Sequence, residues 1–328
     1  MRIGIIDFGT NTLRLDIFET EEGAYRSIYD NAIFSRIIEN TEGASLSQDG
    51  IEHVIQAIEE HQSACRHYRC DRVECFATAS LRYIDNADSV LEQVEFRTGV
   101  KIKMISGNEE AEYDFRALKS VSKAQSGVGC DLGGGSMQLF VFDKKGPAKS
   151  ASFPLGSSRI AKQFISGAIP TASEIENIKN EVKKQLSAAG FSPANGSLSA
   201  MGGTAKAVKR LFGSVLKIEG AISVSELSGF LKAAAEAPEE TLELLEDVEP
   251  KRARTLVPGA AVLAGIMEFM GCGKMGVYSV GVREGFLEKI LEEGEGGGEP
   301  GLLDIILGSI GKKISAKKAA GKARRFFI

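Results

Sequence analysis

An α/β fold of two related lobes with mixed sheets is what this chain of 328 residues predicts, and three observations carry the prediction. A short motif occurs twice. Asp7-Phe8-Gly9-Thr10-Asn11-Thr12 follows the apolar run Ile3-Gly4-Ile5-Ile6, and Asp131-Leu132-Gly133-Gly134-Gly135-Ser136 follows Gly127-Val128-Gly129-Cys130. Each copy leads into an alternating stretch, Leu13, Leu15 and Ile17 in the first and Met137, Leu139 and Val141 in the second, so each reads as strand, turn, strand. Around the two copies, short apolar runs alternate with helical periodicities, the order that builds sheets covered by helices.

In chain order, residues 1–20 read as the first hairpin. Residues 48–68 carry Ile51, Val54, Ile55 and Ile58 at helical spacing. Residues 72–78 predict a short strand running into Ala79-Ser80-Leu81-Arg82. A helix over 87–99 is stopped by Gly99, a strand follows over 100–105, and a helix over 106–117. The second hairpin fills 127–142. A polar helix is predicted over 173–189 and a strand over 197–201. Gly202-Gly203-Thr204 then opens a helix with Ala205, Val208 and Leu211 on one face. An apolar helix over 258–270, a strand over 277–280 and a last helix opened by Gly281-Val282-Arg283-Glu284-Gly285 and running to 291 complete the pattern. The repeat divides the chain into lobes at 1–120 and 121–293, with a Gly/Glu linker and a basic tail over 294–328.

Apolar content of 43% and charged content of 26% are those of a soluble globular protein. The net charge of −4 is unevenly spread: from Leu302 onward there are seven Lys/Arg against one acid, Asp304, so this tail is +6 and the remainder −10. Any anion site in the lobes must therefore be local, and no DNA partner is expected. Five cysteines without CxxC spacing, and no secretory leader, argue for the reducing cytoplasm. No apolar run reaches the ~18 residues of a transmembrane segment. His53, His61 and His67 lie near Cys65, Cys70 and Cys75 but lack zinc-ligand spacing, and read as core and surface residues.

Turns of this composition suit phosphate, because small residues let backbone N–H groups face a ligand and a hydroxyl adds a donor. Gly9, Thr10, Asn11 and Thr12 offer donors from one turn, and Gly133, Gly134, Gly135 and Ser136 from the other. The plain reading is two hairpin turns. The repetition, with an Asp before each, favours a shared ligand. Neither is a P-loop, since no Gly-Lys-Ser/Thr follows. Asp131, and behind it Asp7, are the metal candidates, because Mg²⁺ is commonly held by one or two carboxylates with phosphate oxygens and water; a turn or cap role is the alternative for each. Gly202, Gly203 and Thr204 read either as an anion site at a helix N-terminus or, for Thr204, as an N-cap. Arg283 and Glu284 read as structural residues, paired with each other or closing a cleft.

Taken together, IGIIDFGTNTLRLDIFE, ATASLR, ISGNEEAE, GCDLGGGSMQLFVFD, FPLGSSRI, SAMGGTAKAV and YSVGVREGFLEKIL resemble, in order and spacing, the exopolyphosphatase / guanosine pentaphosphate phosphohydrolase (Ppx/GppA) phosphatase family over about 1–291. The resemblance implies two ribonuclease-H-like lobes of the actin-like ATPase clan with an interlobe cleft. It implies hydrolysis of a terminal phosphoanhydride, dependent on Mg²⁺ or Mn²⁺, on inorganic polyphosphate or guanosine pentaphosphate, by a homodimer. Of Glu109, Glu110 and Glu112, Glu110 matches the catalytic Glu, whereas Ser106 and Glu109 have the spacing of a capping box. Arg82 matches a phosphate-binding Arg, a task for which a guanidinium fork is suited. Two positions depart from the family pattern: Glu112 stands where an Arg is frequent, and Arg254 where an Asp is common. A clan kinase, which requires an acceptor-binding Asp, and a non-catalytic polyphosphate or nucleotide sensor, which binds without turnover, are the other readings.

Overall fold

The run Ile3-Gly4-Ile5-Ile6 forms the middle of β1 (Arg2–Phe8). Ile3, Ile5, Ile6 and Phe8 are all fully buried, so both faces of the strand are covered, as a central position requires. The computed structural model describes residues 1–295 apart from 10–11, 22–23, 35–39, 43 and 83; Thr10, Asn11, the basic tail and most of the linker lie outside the described residues. β2 (Thr12–Glu21) returns antiparallel and sets Asp7 opposite Arg14. β3 (Ala24–Phe34) extends the meander. It lies beyond the predicted hairpin because its sequence, AYRSIYDNAIF, is that of a half-exposed edge strand without a continuous apolar face. A small ribbon, β4 (Thr41–Glu42) and β5 (Ser45–Leu46), follows.

α1 (Gln48–His67) starts at Ser47, whose hydroxyl accepts from Gly50 N–H, and buries the predicted Ile51, Val54, Ile55 and Ile58. β6 (Arg72–Ala77) runs parallel to β1. The single turn α2 (Ala79–Arg82) leads to α3 (Ala87–Thr98), which ends at Gly99 with φ +70°, a left-handed cap that favours glycine. β7 (Ile102–Met104) joins β6 in parallel, and the sheet order is β3-β2-β1-β6-β7.

α4 (Gly107–Val121) then crosses to the second sheet. Ala111 and Leu118 share an apolar cluster with Phe140, Phe142 and Met201 of that sheet. β8 (Gly127–Leu132), β9 (Met137–Asp143) and β10 (Gly146–Phe153) repeat the meander, with an irregularity between Pro147 and Lys149. α5 (Ser157–Phe164) and the polar α6 (Ala172–Ala188) precede β11 (Gly196–Met201), which is parallel to β8. α7 (Gly202–Ser214), β12 (Ile222–Ser223), α8 (Val224–Glu236), α9 (Pro238–Val248) and a 3₁₀ turn at Pro250–Arg252 follow. α10 (Leu256–Met270) is buried along nearly its whole length, with Pro258 tolerated in its first turn. β13 (Cys272–Val277) and α11 (Val282–Glu295) end the described chain.

The second sheet has the order β10-β9-β8-β11-β13-β12. Both sheets thus contain an antiparallel meander of three strands followed by two parallel ones, so the motif repeat is a repeat of topology. The strand expected over 277–280 lies instead at Cys272–Val277. Gly271, φ +71°, ends α10 and feeds the chain directly into pairing with β11; Tyr278 N–H still donates to Ala200 O, and Val280 and Gly281 then reach the cleft. Residues Met1–Leu287 form one compact unit, and a second begins at Glu288. Among the described residues no helix is long and apolar enough to cross a membrane.

Candidate active site

The two predicted turns open onto the same cleft, about 470 Å³ in volume. They close alike: Gly9 N–H donates to Thr12 O at 3.0 Å, and Gly133 N–H to Ser136 O at 3.1 Å. The second turn is braced from behind by the start of α5. Ser157 N–H donates to Gly133 O, and Ser158 and Arg159 N–H to Gly134 O, at 2.9, 2.9 and 3.1 Å. A Cβ on Gly156 would stand 2.4 Å from the Gly134 carbonyl, so glycine is needed for this approach. Ser136 Oγ accepts from Gln138 Nε2 at 3.1 Å, and the same amide donates to Ser152 Oγ at 3.0 Å.

Central strands β1 and β8 carry Asp7 and Asp131 to the cleft. Burial pushes the Asp7 carboxyl up to about 6; Arg283 opposes the rise and Asp131 adds to it. Burial also raises Asp131, against the pull of Lys206. Gly202, φ +86°, approaches Asp131 so closely that a Cβ would lie 2.3 Å from Oδ1. The two acids therefore carry charge that the protein compensates only in part, which is the environment a divalent cation would relieve. Among the described residues no three His, Cys, Asp or Glu side chains form a closed cage. A Mg²⁺ ion that takes one or two carboxylates and completes its shell with phosphate oxygens and waters does not need one, so these residues fit such an ion.

The three candidate glutamates fall into three environments. Glu109 closes the capping box with Ser106, accepting from its N–H at 2.8 Å. Glu112 is exposed and bonds to Arg116 one turn on, at 3.1 Å. Glu110 is buried in the first turn of α4 and lines the cleft. Burial pushes its carboxyl up to about 8, although Arg82 beside it pulls the other way and Asp131 and Asp7 push further up. Arg82 Nη2 donates to Glu110 Oε2. Arg82 Nε is buried with no hydrogen-bond partner among the described residues.

Cations occupy the rest of the wall. Arg14 lies opposite Asp7 and donates from Nε to Asp30 Oδ1 at 2.9 Å. Arg252 packs so tightly on Gly203 that a Cβ there would be 2.1 Å from Nη2. Lys206, Lys251, Arg210 and Arg283 also line the cleft. Burial and the nearby Arg14 and Arg283 push the Lys206 ammonium down, and burial lowers Arg252. Arg210 is neutralised by Glu249, at 2.5 and 2.8 Å.

The structure thus brings Asp7, Gly9, Thr12, Glu110, Asp131, Gly133, Gly134, Gly135, Ser136, Gly202 and Gly203 to one cavity, with Arg82 on Glu110. Thr204 is not part of its wall: it is buried, and its hydroxyl donates to Ser157 Oγ at 3.1 Å. Met201, not Thr204, is the N-cap of α7. Glu284 accepts from Gly281 N–H at 2.9 Å and does not pair with Arg283, which faces Asp16 at 3.6 Å. Sequence reasoning passed over Arg14, Lys206, Arg252 and Asp114. Arg14 was legible, since antiparallel pairing across a short turn sets it opposite Asp7. Asp114 was legible as a second acid one helical turn after Glu110. Lys206 and Arg252 carried no local signal. Asp114 is fully buried, neither carboxylate oxygen has a hydrogen-bond partner among the described residues, and burial with the adjacent Asp131 drives it well above the usual carboxylate range.

Comparison with known proteins agrees with this architecture. The model of the Ppx/GppA phosphatase family matches residues 33–293. A Mycobacterium leprae protein named exopolyphosphatase 1 is 24% identical over 310 residues, covering 90% of this chain and 91% of its own. The crystal structure of the Aquifex aeolicus Ppx/GppA family member superposes with a TM-score of 0.77 at 25% identity, covering 89% of this chain and 98% of that one. An exopolyphosphatase structure from Cytophaga hutchinsonii gives 0.76 at 17% identity, with 89% and 98% covered. With the family model spanning most of the chain and the two-lobed fold recurring in solved members, the chain belongs to the Ppx/GppA phosphatase family and is a phosphoanhydride hydrolase of that family.

Proposed function

We propose that this enzyme removes orthophosphate from the end of linear inorganic polyphosphate. The observation that carries the reading is the make-up of the cleft wall, which gathers the carboxyl groups of Glu110, Asp7 and Asp131 and the cations Arg14, Lys206, Lys251 and Arg252 in one cavity. A chain of phosphates calls for both: carboxylates to orient water and hold a metal ion at its reacting end, and cations to take its negative charge.

In this mechanism the glycine turns and the cations bind the terminal phosphates and hold them in line for attack. Glu110 orients a water against the terminal phosphorus and takes its proton as the new P–O bond forms. The bridging P–O bond breaks, and orthophosphate leaves a chain one unit shorter. Arg82 fixes the Glu110 carboxylate through its Nη2. Asp131 and Asp7 would hold Mg²⁺ or Mn²⁺, which supplies charge neutralisation on the transferring phosphate when bound. Gln138 holds Ser136, and α5 holds the glycine turn, so the cradle does not have to reorganise.

Guanosine pentaphosphate, which also ends in a phosphoanhydride, is the alternative substrate. Five free cysteines favour work in the reducing cytoplasm, and the family resemblance favours a homodimer, a state that light scattering reads directly. The test of function is phosphate release from polyphosphate, guanosine pentaphosphate, ATP and pyrophosphate, with and without Mg²⁺. Release from polyphosphate at the highest kcat/KM is expected. Binding of polyphosphate without turnover under every condition would make the protein a sensor.

A further inference from the structure

Asp114 is a buried acidic side chain with no basic or hydroxyl partner among the described residues. It is fully buried, and both of its oxygens lack a hydrogen-bond partner among the described residues. A buried carboxylate left in that state is costly, and in folded proteins such groups are paired, protonated or bound to a metal. Its surroundings decide between these. The groups that act on it most strongly are Asp131, near enough for the two carboxyls to share a proton, and then Glu110 and Glu284, all acidic; a cation between the two carboxyls would take the place of that proton. α4 carries it one turn beyond Glu110 and sets it behind Asp131. Gly281 leaves open the space between them: a Cβ there would stand 3.3 Å from Asp131 Oδ2 and 3.8 Å from Asp114 Oδ1. Gly281 and Asp131 both line the cleft, so this space is reached from the side where substrate enters.

We propose that Asp114 and Asp131 together form a two-carboxylate site for a divalent cation, so that the protein takes up its metal before substrate arrives. Asp7 and Asp131 reach the cleft from different sheets and leave the ion's shell to be completed by substrate oxygens, whereas Asp114 adds a carboxylate beside Asp131. Two carboxylates sharing one ion from a strand end and a helix give a hard oxygen site of their own, with waters in the remaining positions. The inference rests on the reading of Asp131 as a metal carboxylate. It is separable from the proposed hydrolysis because binding is measured with no polyphosphate present.

The experiment titrates the full-length protein with Mn²⁺ alone, following free Mn²⁺ by electron paramagnetic resonance, and records thermal unfolding with and without the ion. Wild type is expected to bind one Mn²⁺ per chain and to unfold at higher temperature when it is present. Asp114→Asn should weaken binding at least 10-fold and abolish the thermal shift, while unfolding at the same or higher temperature than metal-free wild type, since an unpartnered carboxyl has gone. Gly281→Ala keeps both carboxylates and fills the space between them; it should weaken Mn²⁺ binding as well, and it serves if Asp114→Asn does not fold. Wild-type protein that binds no Mn²⁺ without polyphosphate would overturn the proposal. So would Asp114→Asn and Gly281→Ala proteins that bind Mn²⁺ as wild type does, whatever their hydrolytic rates.

Discussion

Replacing Glu110 by Gln separates its part in turnover from its part in stability, and the two should move in opposite directions. The side chain is 8% exposed and ion-paired to Arg82, and its carboxyl sits at about 8 instead of 4.5. That displacement corresponds to at most about 5 kcal/mol against the ionised form, at about 1.36 kcal/mol per pH unit. Between pH 4.5 and about 8 the folded protein keeps a proton that the unfolded chain releases, so this residue's contribution to stability is intact below 4.5 and is lost as pH rises through 8. Gln does not titrate. The stability of Glu110→Gln relative to wild type should therefore grow by several kcal/mol from pH 4.5 to 8 and then level off, read by denaturant unfolding across that range. At and above about pH 8, where wild-type Glu110 is ionised, the mutant should lose about 10²–10⁴ in kcat, because the base is gone, while polyphosphate still binds. Wild-type kcat/KM should rise as Glu110 ionises through about 8. If Glu110→Gln keeps most of its activity while Glu109→Gln or Glu112→Gln loses it, the assignment of the base is wrong. If the stability difference is flat with pH, the carboxyl is not held neutral by burial.

Gly156→Ala places a methyl 2.4 Å from the Gly134 carbonyl. It should cost about 1–3 kcal/mol in stability and lower kcat/KM more than 10-fold by displacing the cradle; unchanged kinetics in a folded protein would remove α5 from the argument. Thr204→Val removes a buried bond to Ser157 and should cost about 1–2 kcal/mol with KM unchanged, whereas a raised KM would return Thr204 to the phosphate site. Removing residues 302–328 takes away seven cations and should raise KM for long polyphosphate more than for short, with kcat unchanged. That difference should vanish at 1 M salt, where screening acts within ~3 Å; equal KM values at low salt for full-length and truncated protein would assign the tail no part in capture.

Much of this arrangement could be read from local sequence, and the exceptions have a common cause. The hairpins, the glycine turns and the Glu110 helix announce themselves within about ten residues of chain, because turn chemistry and capping act over that range. β3 and β10 do not, since edge strands such as GPAKSASF bury too little on either face to impose a period. β13 was misplaced because Cys-Gly-Lys-Met-Gly-Val has little strand propensity and is held by parallel pairing to a strand far away in sequence. Lys206 and Arg252 enter the cleft because α7 and the Pro250–Arg252 turn are delivered there by packing. For Asp114 the sequence shows only its place one turn after Glu110; its complete burial comes from the packing around α4.

α4 follows the first sheet in sequence yet lies on the second, and Phe286 at the start of α11 returns the crossing, its ring 4.9 Å from Phe76 of β6 and 5.4 Å from Tyr113 of α4. Gly285 comes so close to the Tyr113 carbonyl that a Cβ would overlap it at 1.8 Å. The duplicated halves are consequently laced together and cannot be separated as heirs of two ancestral modules. A chain severed between 122 and 126 would leave one fragment with the Leu118 face of α4 bare and the other with Phe140 and Phe142 uncovered. Neither half should fold alone, but mixed together they should reassemble, each supplying the helix the other lacks.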